Sequence, residues 1–457
     1  MPMTFTATIS ALLVLTCSAL AQDASAPAPP PSPREQQLLD RIQKLEERIA
    51  ALEARLPPAP AQPAQPTEAA LPPAEQVASA PGPISNFMRG TSVDFLLDTY
   101  YGYNFNDPIG RVNRLRTYDV LSNAFSLNQA DVILANDPDP DTGKRWGLRV
   151  DLQFGQATET LQGNAVNEPR PDIYRNVFQA YGTYIVPIGS GLTVDFGKWA
   201  SSIGIEGNYT QDQMNYSRSY WFDFLPFYHM GARASYQLTK ELALHYWTVN
   251  GTNQTEPFNG FKDESVGFTL QPNSNISWTA TYYLGQEHPD EMFLANSTNP
   301  NLPTEQGEPF VPIPNPPKGK LHIIDSYATW QFSPKLSFAL EGDYVIERLY
   351  ENSAPVETWG GAGYARYQLS PRLSIASRAE YLGDRGGLFS NTSQALNETT
   401  VTFEQRIIDG FLVREEWRRD FSNQPYFYTD LLGILKREQN TATLGMVWWF
   451  GPKKSPW

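Results

Sequence analysis

The feature that most constrains this chain is the rhythm of its connections. From Thr91 onward, segments of period two are separated by gaps that alternate in length. One set is short and turn-like: PIGSG at 187–191, TKE at 239–241, PNSN at 272–275, SPK at 333–335, SPR at 370–372 and DG at 409–410, with NDPDPDTGK at 136–144 as its longest member. The intervening set is mostly longer and richer in polar residues, glycine and proline: 106–123, 157–172, 200–227, 251–261, 287–320, 386–396 and 421–439, with a short exception near 349–355. Turns on one side and loops on the other are expected when every strand crosses a bilayer and returns. A soluble sandwich has no reason to sort its connections this way. The spacing therefore predicts an all-β chain over 91–450, a transmembrane antiparallel β-barrel of about 16 strands.

The segments themselves agree. Trp146, Leu148, Val150, Leu152 and Phe154 alternate with Gly147, Arg149, Asp151 and Gln153. Leu336, Phe338, Leu340, Tyr344 and Ile346 alternate with Ser337, Glu341, Asp343 and Glu347, and Leu444, Met446, Trp448 and Phe450 with Thr441, Thr443 and Gly445. A period of two puts one set on each face of a sheet. The polar set carries charges of both signs in adjoining segments: Arg378 and Glu380, Glu404 and Arg406, then Arg414, Glu416 and Arg418. Such a face suits a water-filled lumen, and the apolar face then meets lipid, where the sheet has to close. Aromatics reach 13%. Tyr100, Tyr101 and Tyr103, Tyr181 and Tyr184, Tyr282 and Tyr283, Tyr364 and Tyr367, and Trp448 and Trp449 sit where interfacial girdles are expected. After the first two dozen residues no apolar run nears the roughly 20 residues of a spanning helix. A net charge of −14 argues against nucleic acid as a partner.

Ahead of the barrel the chain reads as a leader and an extension. Ile9 to Ala19 form an apolar core and Ala19-Leu20-Ala21 a small-x-small cleavage pattern, so residues 1–21 are expected to be a signal peptide, although no Lys or Arg precedes the core. The single cysteine, Cys17, lies in that leader, and the bulk of Thr16 disfavours lipidation there. Residues 22–33 and 57–90 are linkers rich in Pro and Ala. Between them, Leu38, Ile42, Leu45, Ile49, Leu52 and Leu56 step by four and three, a heptad seam that predicts a coiled-coil helix over 34–56. Residues 451–457 are expected to be a periplasmic tail. The expected setting is the bacterial outer membrane with the extension in the periplasm. Its partners would be membrane lipid, small hydrophilic solutes and ions, a second and third copy of the chain through the barrel and the 34–56 helix, and the cell wall through the extension.

Little in the chain resembles an enzyme site. The four histidines, at 229, 245, 288 and 322, form no metal-ligand spacing, no phosphate-binding glycine loop is present, and no spacing rule supports Ser217 near His229. No catalytic residue, cofactor or metal is expected. The segment 200–227 is the best candidate for a constriction. Glu206, Asp212 and Asp223 would supply negative charge and Arg218 positive charge against the wall residues Arg149, Arg233, Arg378, Arg406 and Arg414, with Asp151, Glu380, Glu404 and Glu416 completing the charged lining. Opposed charges across a narrow pore order water and favour polar solutes. The same loop could instead lie outside with its aromatics packed locally. Acids such as Glu287, Asp290, Glu291, Glu305 and Glu308 in the loop 287–320 lean the mouth toward cations.

Several phrases carry a resemblance to a known family: LDTYYGYNFNDP at 97–108, FSLNQADVILAND at 125–137, VDFGKW at 194–199, SIGIEG at 202–207 and NYSRSYWFDFLPFYHMG at 215–231. The region from Thr91 to Phe450 resembles the OmpL-like β-barrel porins, most specifically in the NYSRS stretch and the proline, histidine and glycine that follow it. The resemblance implies an outer-membrane barrel with porin activity. The chain departs from the usual pattern by continuing GPKKSPW after Phe450, where barrels commonly end on an aromatic. The expected function is passive diffusion of small hydrophilic solutes. The alternatives are a solute-selective channel, for example for sugars along a slide of aromatics such as Tyr283, and a barrel that only anchors an envelope tether.

Overall fold

The structure is a computed structural model, and it describes residues 90–162, 171–293 and 310–452. The segments expected to be a leader, Pro-rich linkers and a coiled-coil helix, and all but the start of the expected tail, lie outside the described residues. Sixteen strands form one closed barrel. They are β1 Ser92–Asn104, β2 Ala124–Asn136, β3 Trp146–Phe154, β4 Val177–Val186, β5 Leu192–Ala200 and β6 Tyr228–Gln237. Then follow β7 Leu242–Val249, β8 Asp263–Asn273, β9 Ile276–Gly285, β10 Leu321–Ser333 and β11 Leu336–Glu347. The last five are β12 Val356–Ser370, β13 Leu373–Arg385, β14 Gln394–Ile408, β15 Phe411–Ser422 and β16 Glu438–Phe450. Each strand pairs antiparallel with its neighbour in sequence, and β16 closes on β1 with Phe95 opposite Phe450 and Asn104 opposite Thr441. The aromatic end of the last strand thus seals the barrel. Closure matters energetically because an open edge in lipid would strand backbone N–H and C=O groups.

The connections sort as expected. Every second one is a turn, and the two-residue turn at Asp409-Gly410 uses a glycine at φ 84°, a left-handed conformation that a Cβ disfavours. The remaining connections gather at the other end. Two of them carry short ribbons, Glu291–Phe293 with Phe310–Pro312 and Phe427–Tyr428 with Leu435–Lys436.

The alternation of apolar and polar side chains fixes which face is which. Phe125, Phe196, Val266, Ile324, Leu340 and Trp417 project outward and are exposed, whereas Asp98, Asp151, Asp325, Arg378, Glu398 and Arg414 point inward and are buried. The outer belt has no core to fill and is stable only against acyl chains. Leu340→Arg places a charge at mid-strand on that belt and is expected to cost about 2–4 kcal/mol near the bilayer midplane. The check is denaturant unfolding in lipid vesicles.

The aromatic girdle departs from the sequence expectation. Adjacent aromatics were expected to share a belt, but a period of two splits them. Tyr184, Tyr282, Tyr367 and Trp448 face outward, whereas Tyr283 and Tyr364 are buried on the inside. Tyr100 is likewise buried inside, donating its hydroxyl to Gln156 Oε1 at 2.8 Å, and Tyr181 lies beneath the Arg233 guanidinium. The true girdle pairs residues across strands, as in Phe411 stacked on Trp448 at 4.6 Å and Tyr101 beside Phe125 at 4.8 Å.

Candidate functional site

The lumen is occupied by the loop between β5 and β6, residues 201–227. Its neck is closed by Ser201 N–H donating to Phe227 O at 2.9 Å. His229, at the start of β6, braces the neck through Ser201 Oγ at 3.1 Å and Gly251 O at 3.3 Å, which is the packing role its position suggests. The loop is pinched on itself by Arg218, whose guanidinium donates to the carbonyls of Gly207 (3.0 Å), Asn208 (3.0 Å) and Tyr216 (2.7 Å). Ser219 caps the short helix Tyr220–Phe224 by accepting from Phe222 N–H at 3.0 Å.

The loop is fastened to the wall of β13 to β15 by charge-assisted bonds. Arg378 donates to Ser217 O (2.8 Å) and Arg218 O (3.1 Å), and Arg414 to Thr210 O (2.7 Å) and Asn215 O (3.1 Å). In return Glu416 accepts from the amides of Tyr216 (2.6 Å) and Ser217 (3.0 Å), and Glu380 from Tyr220 N–H at 2.9 Å. On β1, Asp98 accepts from Tyr216 Oη (2.9 Å) and Thr210 Oγ1 (2.7 Å). The ring of Tyr216 reaches this seat because residue 445 is a glycine: a Cβ there would meet the ring at 2.3 Å.

Through this seam runs a buried chain of alternating charge. Arg116 of the first long loop meets Asp420 at 2.7 Å, Asp420 meets Arg418 at 2.9 Å, and Arg418 lies 3.6 Å from Glu398. Glu398 then meets Arg378 at 3.0 Å, and Arg378 meets Glu206 of the lumen loop at 2.8 Å. Glu404 separately bridges Arg414 (2.8 Å) and Arg366 (3.0 Å). Each charge here has left water, and only multiple hydrogen bonds per group compensate that loss.

This arrangement corrects the expected role of several residues. Of the expected lining, Arg378, Glu380, Arg414 and Glu416 meet the loop, which carries Glu206 and Arg218, in direct contact and not across water, and Glu404 joins through Arg414. Arg218 spends its charge on its own loop's carbonyls and is 1% exposed. Asp223 turns to the first long loop, accepting from Thr117 Oγ1 at 2.9 Å, and burial pushes its carboxyl above the usual range against that hydrogen bond. Asp212 lies in the turn Thr210–Asp212. Arg149 pairs with Asp151 on its own strand at 2.9 Å, and Arg233 with Asp195 at 2.6 Å, away from the seam. Arg406, half-buried near the short-turn end, does not join the seam. Asp98, Arg116, Glu398 and Asp420 were not singled out from the sequence. For Glu398 and Asp420 the signal was present as inward parity with Glu404 and Arg418, but a period says nothing of which inward groups meet a loop.

A closed sixteen-strand barrel with an apolar outer belt and a loop folded into a charged lumen defines a porin of the outer membrane. The family model described as "Putative beta-barrel porin-2, OmpL-like" matches residues 91–450, and the chain belongs to that family. No curated protein matches it in sequence. Among solved structures, OprB of Pseudomonas putida is similar at a TM-score of 0.50 and 12% identity over 79% of this chain and 95% of that one. The anion-selective porin of Comamonas acidovorans gives 0.49 and 7% over 79% and 99%. OmpT of Vibrio cholerae, in its trimer form, gives 0.47 and 8% over 79% and 99%. At such identities the likeness is one of fold.

Proposed function

We propose that small hydrophilic solutes and ions cross this barrel passively along the wall of β4 to β10, beside the lumen loop and not through the buried charge seam. The observation that supports this is where inward side chains keep their exposure. On β13 to β15 they are buried, whereas the short-turn half of β4 to β10 stays open: the side chain of Arg233 is 26% exposed and Tyr181, Thr183, Ser235, His245, Thr269 and Tyr327 are half-buried, while Trp199, Trp247, Tyr283 and Ile323, packed in one cluster with the loop, are buried. A polar row runs across this wall toward the short-turn end. Ser235 Oγ meets His245 Nδ1 at 2.7 Å, His245 Nε2 meets Thr269 Oγ1 at 3.0 Å, and Thr269 Oγ1 meets Thr279 Oγ1 at 3.1 Å. Hydroxyl and imidazole groups exchange hydrogen bonds with water and polar solutes at little electrostatic cost. Apolar solutes find no such exchange.

Arg233 is the charged group best placed to set the field of this passage, stacked over Tyr181 and Trp199 at 5.3 and 5.2 Å. Arg233→Glu is expected to move the reversal potential in a salt gradient toward cations while leaving the heat-resistant barrel intact. An unchanged reversal potential would place the passage elsewhere. The sugar-slide alternative loses its named residue, since Tyr283 is fully buried and donates to Asp263 at 2.6 Å. The tether alternative depends on residues outside those described.

In this reading the long loops face the outside, and the short turns and N-terminal extension face the periplasm. Self-association would use the outer face of β11 to β14, where Gly363, Ala365, Ser377 and Ala379 line a groove of about 880 Å³ between larger side chains such as Phe338 and Leu340. Small residues let barrels approach closely in lipid. Cross-linking through cysteines placed at Ser377 is the test, and a monomer at every lipid ratio would overturn it.

A further inference from the structure

One group of lumen carboxylates stands apart from the seam. Asp325 on β10 and Asp343 on β11 lie directly opposite each other in register, and Glu341 precedes Asp343 by two residues on the same inward face. They are 0%, 5% and 7% exposed, and each offers a carboxylate oxygen within 4.8 Å of the others. The acids of the seam have arginines threaded among them. Here no Lys or Arg among the described residues forms an ion pair with any of the three. All four oxygens of Asp325 and Asp343 are buried without a hydrogen-bond partner. Glu341 alone is engaged, accepting from Ile205 N–H at 2.9 Å and from Tyr364 Oη at 3.2 Å.

Like charges directly opposite on adjacent strands repel, and burial in a low-dielectric wall strengthens the repulsion. One shared proton would satisfy one pair of oxygens and leave the rest bare. A divalent cation neutralises two charges and takes oxygens from all three residues at once. Hard carboxylate oxygens select a hard cation. Calcium accepts irregular shells of six to eight oxygens and bidentate carboxylates, whereas magnesium keeps several waters that a site this buried has little room for.

We propose that Asp325, Asp343 and Glu341 form a calcium site that fastens the stem of the lumen loop to β10 and β11. The loop residues beside it are those leaving the neck: Ile205 N–H binds Glu341, and Tyr327 Oη lies 3.5 Å from Ser202 O. The site therefore secures the stem of the loop at β10 and β11, two strands along the barrel from the arginine seam. It does not depend on the route proposed for solutes.

The test uses the full-length protein folded in detergent and stripped with EDTA. Calcium titrated calorimetrically, and terbium followed by luminescence sensitised through the nearby Tyr364 and Tyr327, are expected to report one saturable site per chain. Magnesium is expected to bind about tenfold more weakly or worse. D325N/D343N removes the repulsion as well as the ligands, so the barrel is expected to keep its heat-resistant mobility and lose the site. Glu341→Gln is a milder second variant, expected to weaken binding by about tenfold or more. Absence of a saturable site in the wild type would overturn the proposal. So would equal binding by D325N/D343N, which would assign the ion to acids of the outer loops. Because neither readout requires conductance, failure here is distinguishable from failure of the porin reading.

Discussion

Removal of residues 203–224, with the stems joined by a short glycine linker, is expected to raise single-channel conductance several-fold while the barrel still folds. The ladder of sixteen strands runs through the sheet alone, so no strand pair depends on the loop. Arg378 and Arg414 lose loop carbonyls but keep Glu398 at 3.0 Å and Glu404 at 2.8 Å, and water replaces what is lost. The loop is what buries the inward faces of β13 to β15 and packs Trp221, Leu225 and Ile203 against Trp247, Leu321 and Val345. An unobstructed barrel of this size encloses an aqueous channel. Conductance is read in planar bilayers, and folding from the heat-sensitive mobility of the detergent complex. A deletion variant that conducts no better than the parent would mean that another loop sets the limit.

The second large effect is on stability. Arg378→Leu removes the cation held between Glu206, Glu398 and Glu380, at 2.8, 3.0 and 3.8 Å, and leaves Glu206 without its ion pair and Glu398 and Glu380 with only the more distant Arg418, at 3.6 and 3.9 Å. Breaking one partner of a fully buried network typically costs about 3–5 kcal/mol. Arg385, paired with Glu357 on the neighbouring strand, is a matched control because its side chain is 74% exposed. Arg385→Leu is expected to change stability by about 1 kcal/mol or less. Urea unfolding of both variants in lipid vesicles separates the two cases. Arg378→Leu should also loosen the loop, since the same guanidinium holds Ser217 O and Arg218 O. A cost as small as that of the exposed pair would show that the seam is not what holds the loop.

Much of this architecture was legible in the sequence because a membrane strand must alternate and must turn back. Those two constraints leave a mark at every residue of β3, β11 and β16, and they located the short turns and the loop 200–227. They failed where geometry depends on a third dimension. Neighbouring tyrosines such as Tyr282 and Tyr283 look alike in a string, yet the pleat sends one to lipid and the other to the lumen. Charge sign and parity named Arg378, Glu380, Arg414 and Glu416 as lining. They could not reveal that these groups would clasp loop carbonyls and amides, because backbone partners have no letter in the sequence. Arg116 and Asp420 meet across 304 residues of chain, a pairing that only barrel closure creates.

The most direct measurement of the central claim is the single-channel conductance of the folded protein in a planar bilayer, with and without the lumen loop. Stable ohmic steps are expected from the parent, small for a barrel of sixteen strands and clearly smaller than those of the 203–224 deletion. Folded, inserted protein that gives no steps would mean a plugged barrel, and parent steps as large as those of the deletion would mean that the loop does not form the constriction.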